Sequence, residues 1–273
     1  MRKPLFSVII PTLNEEKFLP KLLDSLVAQT NKSFEVIVVD GKSKDQTVEI
    51  AKSFTKKLPS LIVVTSPKAS LPFQRNFGAK HAHGEWLVFV DADGIFLPYF
   101  IARSAAFIKS DSPTVFTSWF TPDTTISGDA LFTLMTNVTV EMSLVVKRQL
   151  TPGPLTIVSR TAFDTVGGYN KEHAFNEDVD FGLRLAKEGF TLSILREALC
   201  VYSLRRFRKQ GKLKVIQQYV TAGLVAVFTK SALKKMPGYI MGGQLYGKRK
   251  QAKQSVLKKY QRKLKELSKE LFS

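Results

Sequence analysis

Cysteine is nearly absent from this sequence. Cys200 is the only one in 273 residues, so no intrachain disulfide can form, and a reducing compartment is expected. Long apolar runs are also missing. The longest, YVTAGLVAVF at 219–228, is about half of the roughly 20 residues that a membrane-spanning helix needs. The opening residues, MRKPLFSVIIPTLNEE, hold an apolar stretch too short for a signal peptide and no small-residue cleavage site. They are expected to form a first strand, and the chain to be cytoplasmic. No Gly-x-Gly-x-x-Gly follows that strand, and no Walker-type Gly-Lys-Ser/Thr loop occurs, which argues against dinucleotide oxidoreductases and P-loop enzymes. Acids are scarce at one end only. Residues 1–204 carry 22 Lys and Arg against 21 Asp and Glu, whereas residues 205–273 carry 19 against 2. A nearly neutral body with a basic extension points to a polyanionic partner, either a membrane surface or nucleic acid.

What is present is a repeating alternation. LFSVIIP (5–11), FEVIVVD (34–40), LIVVTS (61–66) and EWLVFVDAD (85–93) read as strands, and amphipathic segments lie between them. Pro20 suits a first helical turn, and Leu22, Leu23, Leu26 and Val27 form a core stripe. Strand–helix alternation over about 90 residues predicts a parallel sheet with right-handed crossovers. Ligands of such sheets lie beyond the carboxyl ends of the strands. Three of those ends carry polar groups: Thr12 to Glu15, Asp40, and Asp91 with Asp93. In VFVDADGIF (88–96) two carboxylates end an apolar run, an arrangement costly to desolvate unless something cationic joins them. A solvated Asp-Gly turn is the plainer alternative. Farther on, 128–147 reads as a largely apolar helix, followed by a strand, a short helix, a loop and a helix opened by acids at 177–180. Acids in a first turn also favour the helix N-terminus by themselves.

Together these residues resemble the family 2 glycosyltransferases. The matching blocks are SVIIPTLNEE (7–16), VIVVDGKSKDQT (36–47), QRNFGAKHAHGEWLVFVDAD (74–93), VGGYN (166–170), NEDVDFGLRL (176–185) and SLRRFRKQG (203–211). The resemblance implies a GT-A fold, an α/β Rossmann-like, mostly parallel sheet flanked by helices. It would occupy 1–211, with a nucleotide-binding half at about 1–94, an acceptor half at about 95–211, and a basic helical extension at 212–273. It further implies an inverting, metal-assisted transfer from a nucleotide-diphosphate sugar of UDP or GDP type. Pro11, Thr12, Asn14, Glu15, Asp40, Arg75 and Asp91 would line the nucleotide-sugar site. Asp93, with Asp91, would hold Mg²⁺ or Mn²⁺. Asp178 would be the general base, and Glu177, Arg205 and Arg206 would approach the acceptor or the phosphates. The acceptor would be a glycan or a lipid-linked molecule, as in cell-envelope polysaccharide or glycolipid synthesis.

Two departures stand out. Gly41 replaces the second aspartate that many members carry after strand two, and Val201, Tyr202 and Ser203 lie where many have a metal-binding histidine. The missing histidine keeps a rival open, a nucleic-acid- or membrane-binding protein on an inactive transferase fold, although the aligned carboxylates weigh against nucleic acid as a partner. In the extension, Leu257, Tyr260, Leu264, Leu267 and Leu271 form an apolar stripe among lysines and arginines over 248–272. Such a helix packs on its own domain, lies on an anionic membrane surface, or forms a short coiled coil or nucleic-acid contact. Peripheral attachment to the cytoplasmic face of a membrane is the corresponding expectation.

Overall fold

A computed structural model describes residues 3–145, 149–173, 175–211, 215, 217 and 218. The helix expected at 248–272 and the apolar run at 219–228 lie outside the described residues. Eight strands form one sheet in the order β3-β2-β1-β4-β7-β6-β8-β5. They are β1 (Phe6–Thr12), β2 (Phe34–Asp40), β3 (Leu61–Thr65), β4 (Trp86–Val90), β5 (Ile95–Phe96), β6 (Val115–Pro122), β7 (Leu155–Ser159) and β8 (Leu192–Tyr202). The helices are α1 (Leu19–Val27), α2 (Thr47–Ser53), α3 (Leu71–His81), α4 (Phe100–Asp111), α5 (Ser127–Val145), α6 (Arg160–Thr165), α7 (Glu177–Lys187) and α8 (Arg205–Gln210).

The first four strands pair in parallel, as their continuous apolar character requires, because both faces of β1, β2 and β4 are covered. Alternate side chains feed two cores. Val8, Ile10, Val36, Val38 and Val88 meet Leu19, Leu22, Leu23 and Leu26 of α1. Ile9, Ile37, Val39, Leu87 and Phe89 meet Ala79 of α3, Phe163 of α6 and Phe181 of α7. β7 then enters antiparallel to β4 and to β6, while β6 and β8 run parallel, so the sheet is mixed in its second half.

Three details set up the site. First, β1 and β2 end in register, Thr12 opposite Asp40. Second, α3 lies so close to the sheet that a Cβ on Gly78 would stand 2.5 Å from the Ile9 side chain and 2.9 Å from that of Val39. Third, β4 stops at Val90, earlier than the expected 93, and residues 91–94 form a turn closed by the Gly94 N–H donating to Asp91 O at 3.0 Å. Asp91 and Asp93 therefore leave the strand, and each is free to meet a different partner.

At the amino end of the strands, Glu35 of β2 is buried and accepts from Ser7 Oγ at 2.6 Å, His83 N at 2.5 Å and Gly84 N at 3.3 Å. Burial would raise its pKa, but the bonds from Ser7 and His83 outweigh it and hold the carboxyl below its usual value. A carboxyl depressed in the folded state adds stability that is complete above its unfolded pKa of about 4.3 and disappears as the pH falls through the folded value. We therefore expect Glu35→Ala to cost about 1–3 kcal/mol at neutral pH, because it strands the Ser7 hydroxyl proton and the His83 amide, whereas the Gly84 amide keeps Ser7 Oγ at 2.7 Å. Urea unfolding should show that difference narrowing below about pH 4.

Candidate active site

The carboxyl end of the sheet gathers two buried arginines and five carboxyl groups. Arg75 leaves the first half of α3, placed there by the close approach at Gly78. Its side chain is 1% exposed. One terminal nitrogen donates to Glu177 Oε1 at 3.1 Å, and the other to Asp91 Oδ1 at 3.2 Å and to the Gly153 carbonyl at 2.9 Å. The guanidinium carbon sits 5.0 Å from the centre of the Tyr169 ring. A single cation thus ties the end of β4 to the first turn of α7.

Arg205, at the start of α8, forms the second clamp. Its two terminal nitrogens grip Glu15 at 2.6 and 2.8 Å, and its Nε lies 2.5 Å from Asp93 Oδ2. Phe18 covers its face at 4.4 Å. So where the histidine is missing, a guanidinium three residues beyond Tyr202 contacts the aspartate instead. Burial pushes Glu15 up to about 7, against the pull of Arg205 and with repulsion from Asp93 and Asp91 added. Burial also raises Asp93, again against Arg205 and with Asp91 repelling it.

Asp178 is half-buried next to this network. Its Oδ1 accepts from the Val179 amide at 2.9 Å, its own carbonyl accepts from the Thr151 hydroxyl, and a Cβ on Gly153 would come within 2.6 Å of its Oδ2. Burial raises its pKa, Arg75 opposes that, and Asp91 adds repulsion. Glu177, likewise raised by burial and by Asp178, turns to Arg75. Asp180 belongs elsewhere, bonded to Arg184 at 2.8 Å and 3.5 Å from His173.

Of the remaining residues singled out in the sequence, Pro11, Thr12, Asn14 and Asp40 lie at the carboxyl ends of β1 and β2. Pro11 and Thr12 end β1 and are buried. Asn14 adopts φ 55°, which asparagine tolerates, and joins two loops by accepting from Lys44 N and donating its own amide to Ser43 Oγ, both at 2.8 Å. Asp40 is filled by its own turn. It accepts from Lys42 N at 2.9 Å, Ser43 N at 3.0 Å, Ser43 Oγ at 2.5 Å and Thr12 Oγ1 at 3.4 Å. Gly41 is crowded by the Gln74 amide, 3.1 Å from where its Cβ would be, and Gln74 donates to Thr12 O and Val39 O. Arg206 lies half-buried beside Arg205 on α8.

Gly153, Tyr169, Phe18 and Gln74 are the site residues that sequence reasoning did not pick out. Tyr169 stood within a quoted block, VGGYN, where Asn76 clamps its backbone at 2.7 and 2.8 Å. Gly153 acts through its carbonyl and its lack of a side chain, and neither leaves a pattern.

Five carboxyl groups, Glu15, Asp91, Asp93, Glu177 and Asp178, face two guanidiniums. Among the described residues, no three His, Cys, Asp or Glu side chains form a closed metal site. This excess of oxygen donors still fits a hard divalent cation that takes one or two carboxylates and completes its shell with phosphates and water.

This architecture, a curled mixed sheet flanked by helices, is the GT-A fold. A sequence profile described as Glycosyl transferase family 2 matches residues 7–158, more than half of the chain, and the chain belongs to that family. It is similar to PGL/p-HBAD biosynthesis glycosyltransferases of Mycobacterium bovis and Mycobacterium tuberculosis, being 34% identical over 188 residues that cover 67% of this chain and 70% of the relative. A crystal structure of Staphylococcus aureus TarS with UDP-GlcNAc superposes with a TM-score of 0.60 at 29% identity. That match covers 72% of this chain and 58% of the TarS chain. The mannosyltransferase PcManGT from Pyrobaculum calidifontis, solved with GDP-Man and Mn²⁺, shares the fold at a TM-score of 0.65 and 20% identity, over 85% of this chain and 67% of that one. No described helix is long and apolar enough to cross a membrane.

Removing the Arg75 cation leaves Glu177 uncompensated at a buried position and takes the partner from Asp91, whose side chain is 37% exposed. We expect Arg75→Met to lower stability by about 3–5 kcal/mol in denaturant unfolding. A loss below about 1 kcal/mol would show that the guanidinium does not hold the two halves of the site together.

Proposed function

We propose that the chain transfers a sugar from a nucleotide-diphosphate sugar, of UDP or GDP type, to an acceptor hydroxyl with inversion at the anomeric carbon. The observation that carries this reading is Arg75. It joins Asp91, at the nucleotide end of the sheet, to the helix turn that bears Asp178, and so keeps a carboxylate at a fixed distance from a phosphate-binding edge. In this reading Pro11, Thr12, Asn14, Glu15 and Asp40 form the nucleotide edge and Asp91 faces the ribose. Asp93, with Asp91, would hold Mg²⁺ or Mn²⁺, which when bound neutralises the diphosphate so that it departs as a stable anion.

The remaining work falls to the chain's own side chains. Asp178 accepts the proton of the acceptor hydroxyl. The acceptor oxygen bonds to the anomeric carbon as the bond to the diphosphate oxygen breaks, and the nucleoside diphosphate leaves with that electron pair. A single displacement of this kind needs one base on the face opposite the leaving group. Glu177 orients Arg75, and Arg205 and Arg206 lie at the entry of α8, near the phosphates. Similarity to TarS, solved with UDP-GlcNAc, supports a UDP-type donor. The mycobacterial relatives' names support a glycolipid or cell-envelope glycan as acceptor.

Three measurements test the assignment. Asp178→Asn should lower transfer by about 10²- to 10⁴-fold while the thermal shift given by the nucleotide survives. Losing both would contradict the role. Gly153→Ala pushes on the free end of the Asp178 side chain and not on backbone, so the fold should hold while the base is displaced. Transfer should then drop on the order of 10²-fold with little change in melting temperature. Because burial lifts the Asp178 carboxyl, with Arg75, Glu177, Asp91 and Tyr169 the ionisable groups around it, the base is protonated at a higher pH than a free aspartate. The rate should therefore fall with decreasing pH along a limb lying above the ordinary aspartate range. Asp178→Glu should move that limb, whereas a purely structural Asp178 would leave it in place.

A further inference from the structure

α5 is inside out. Its buried residues are mostly polar: Asp129, Thr133, Asn137 and Ser143, with Val140 the apolar exception. Asn137 exchanges two hydrogen bonds of 3.0 Å with the Phe120 backbone, and Trp119 donates to Glu141 at 2.9 Å, which fixes this face against β6. The outward face is apolar. Leu131, Leu134, Met135, Val138, Met142 and Val145 are each more than half exposed and recur at helical spacing. With Ile126 they make up seven of the eight exposed large apolar side chains among the described residues. Ordinary surface helices have the reverse polarity. Apolar patches of this kind mark a surface that meets something apolar.

The surroundings of the stripe say what that is. Neither ionisable residue of α5, Asp129 or Glu141, lies on it. The stripe runs for about 21 Å, at about 1.5 Å per residue. One side of α5 is committed to the sheet, and α5 does not qualify as a membrane span, so it can lie along an apolar layer but not cross one. Lys147 and Arg148 follow it in the sequence. The ring of Phe132 of α5 packs at 4.3 Å, tilted by 58°, against that of Phe207 of α8, the helix at which the strongly basic residues 205–273 begin. An apolar stripe flanked by basic sequence matches an anionic lipid surface. A second copy fits poorly, since each copy carries a formal charge of +18. Nucleic acid would leave the apolar stripe without a role.

We propose that the outward face of α5 is a lipid-contact surface that docks the enzyme in the plane of an anionic membrane. The inference rests on the stripe and its flanking charge and is independent of the transfer reaction.

The test is flotation of the full chain with vesicles of phosphatidylcholine alone or mixed with phosphatidylglycerol. The comparison is with a variant carrying Leu134→Ser, Met135→Ser, Val138→Ser and Met142→Ser. These positions are exposed, so the fold should persist, and an unchanged nucleotide-induced thermal shift verifies it. The wild type should float with the phosphatidylglycerol vesicles, and the variant's vesicle-bound fraction should fall by on the order of tenfold or more. Equal flotation of the two would overturn the proposal, because the basic sequence would then act alone, and so would no flotation of the wild type. M135C supplies a second reading, since Cys200 is buried. Fast thiol labelling in solution that slows on adding anionic vesicles supports the proposal. Slow labelling without lipid overturns it, because the stripe would then be covered by this chain's own extension or, if sedimentation shows a dimer, by a second copy.

Discussion

A guanidinium buried to 1% exposure is costly to desolvate, and it persists only if its charge and its donors are met. Arg75 meets the first condition, and the second at both terminal nitrogens though not at its buried Nε, with residues far apart in sequence: Asp91 after β4, Gly153 before β7, Tyr169 after α6 and Glu177 at the head of α7. None of these positions can shift far without exposing an unpaired charge. The residues that carry the chemistry hang from this one arrangement. Asp178 follows Glu177 on the same helical turn, and Asp93 follows Asp91 in the same loop. The close approach of α3 at Gly78 is what brings Arg75 to the carboxyl end of the sheet, so the packing of the first half of the fold sets the position of the helical turn that bears Asp178.

Arg205 adds a second cation on the other side of the loop. It holds Asp93 and Glu15 at a place where many family members present a histidine to a metal. A guanidinium and a divalent cation both answer the same need, which is to offset clustered carboxylates before a diphosphate arrives. Five carboxyl groups face two guanidiniums there, and Glu15 and Asp93 are raised chiefly by burial, with repulsion from neighbouring aspartates a smaller addition.

Much of the first half of the fold was legible from short apolar runs ending in polar residues, with amphipathic segments between them. Strands β1 to β4 and the base helix lie where that pattern placed them, within a few residues. The end of β4 did not, because Ala92 and Asp93 continue an alternating pattern while the Gly94 amide folds back on Asp91 O. The antiparallel entry of β7 was not legible either, since strand direction is set by tertiary pairing and not by composition. Within the site, the acids and arginines announced themselves by residue type. Gly153 did not, because its contribution is empty space beside Asp178, and Gln74 did not, because its amide reads as an ordinary helix residue until its bonds to Thr12 O and Val39 O are seen. The helix over 127–145 was legible as apolar, but its reversed polarity was not, since only burial tells which face looks inward.

The central claim is that these two clamps frame a nucleotide-diphosphate site completed by a divalent cation. The most direct measurement is the melting temperature of the chain with UDP, GDP, dTDP or CDP, each with and without Mn²⁺. The account expects one nucleotide to stabilise the protein when the cation is present, by about 2.7 kcal/mol at a hundredfold excess over its dissociation constant, and far less without the cation. A folded protein that no nucleotide stabilises under either condition would contradict it.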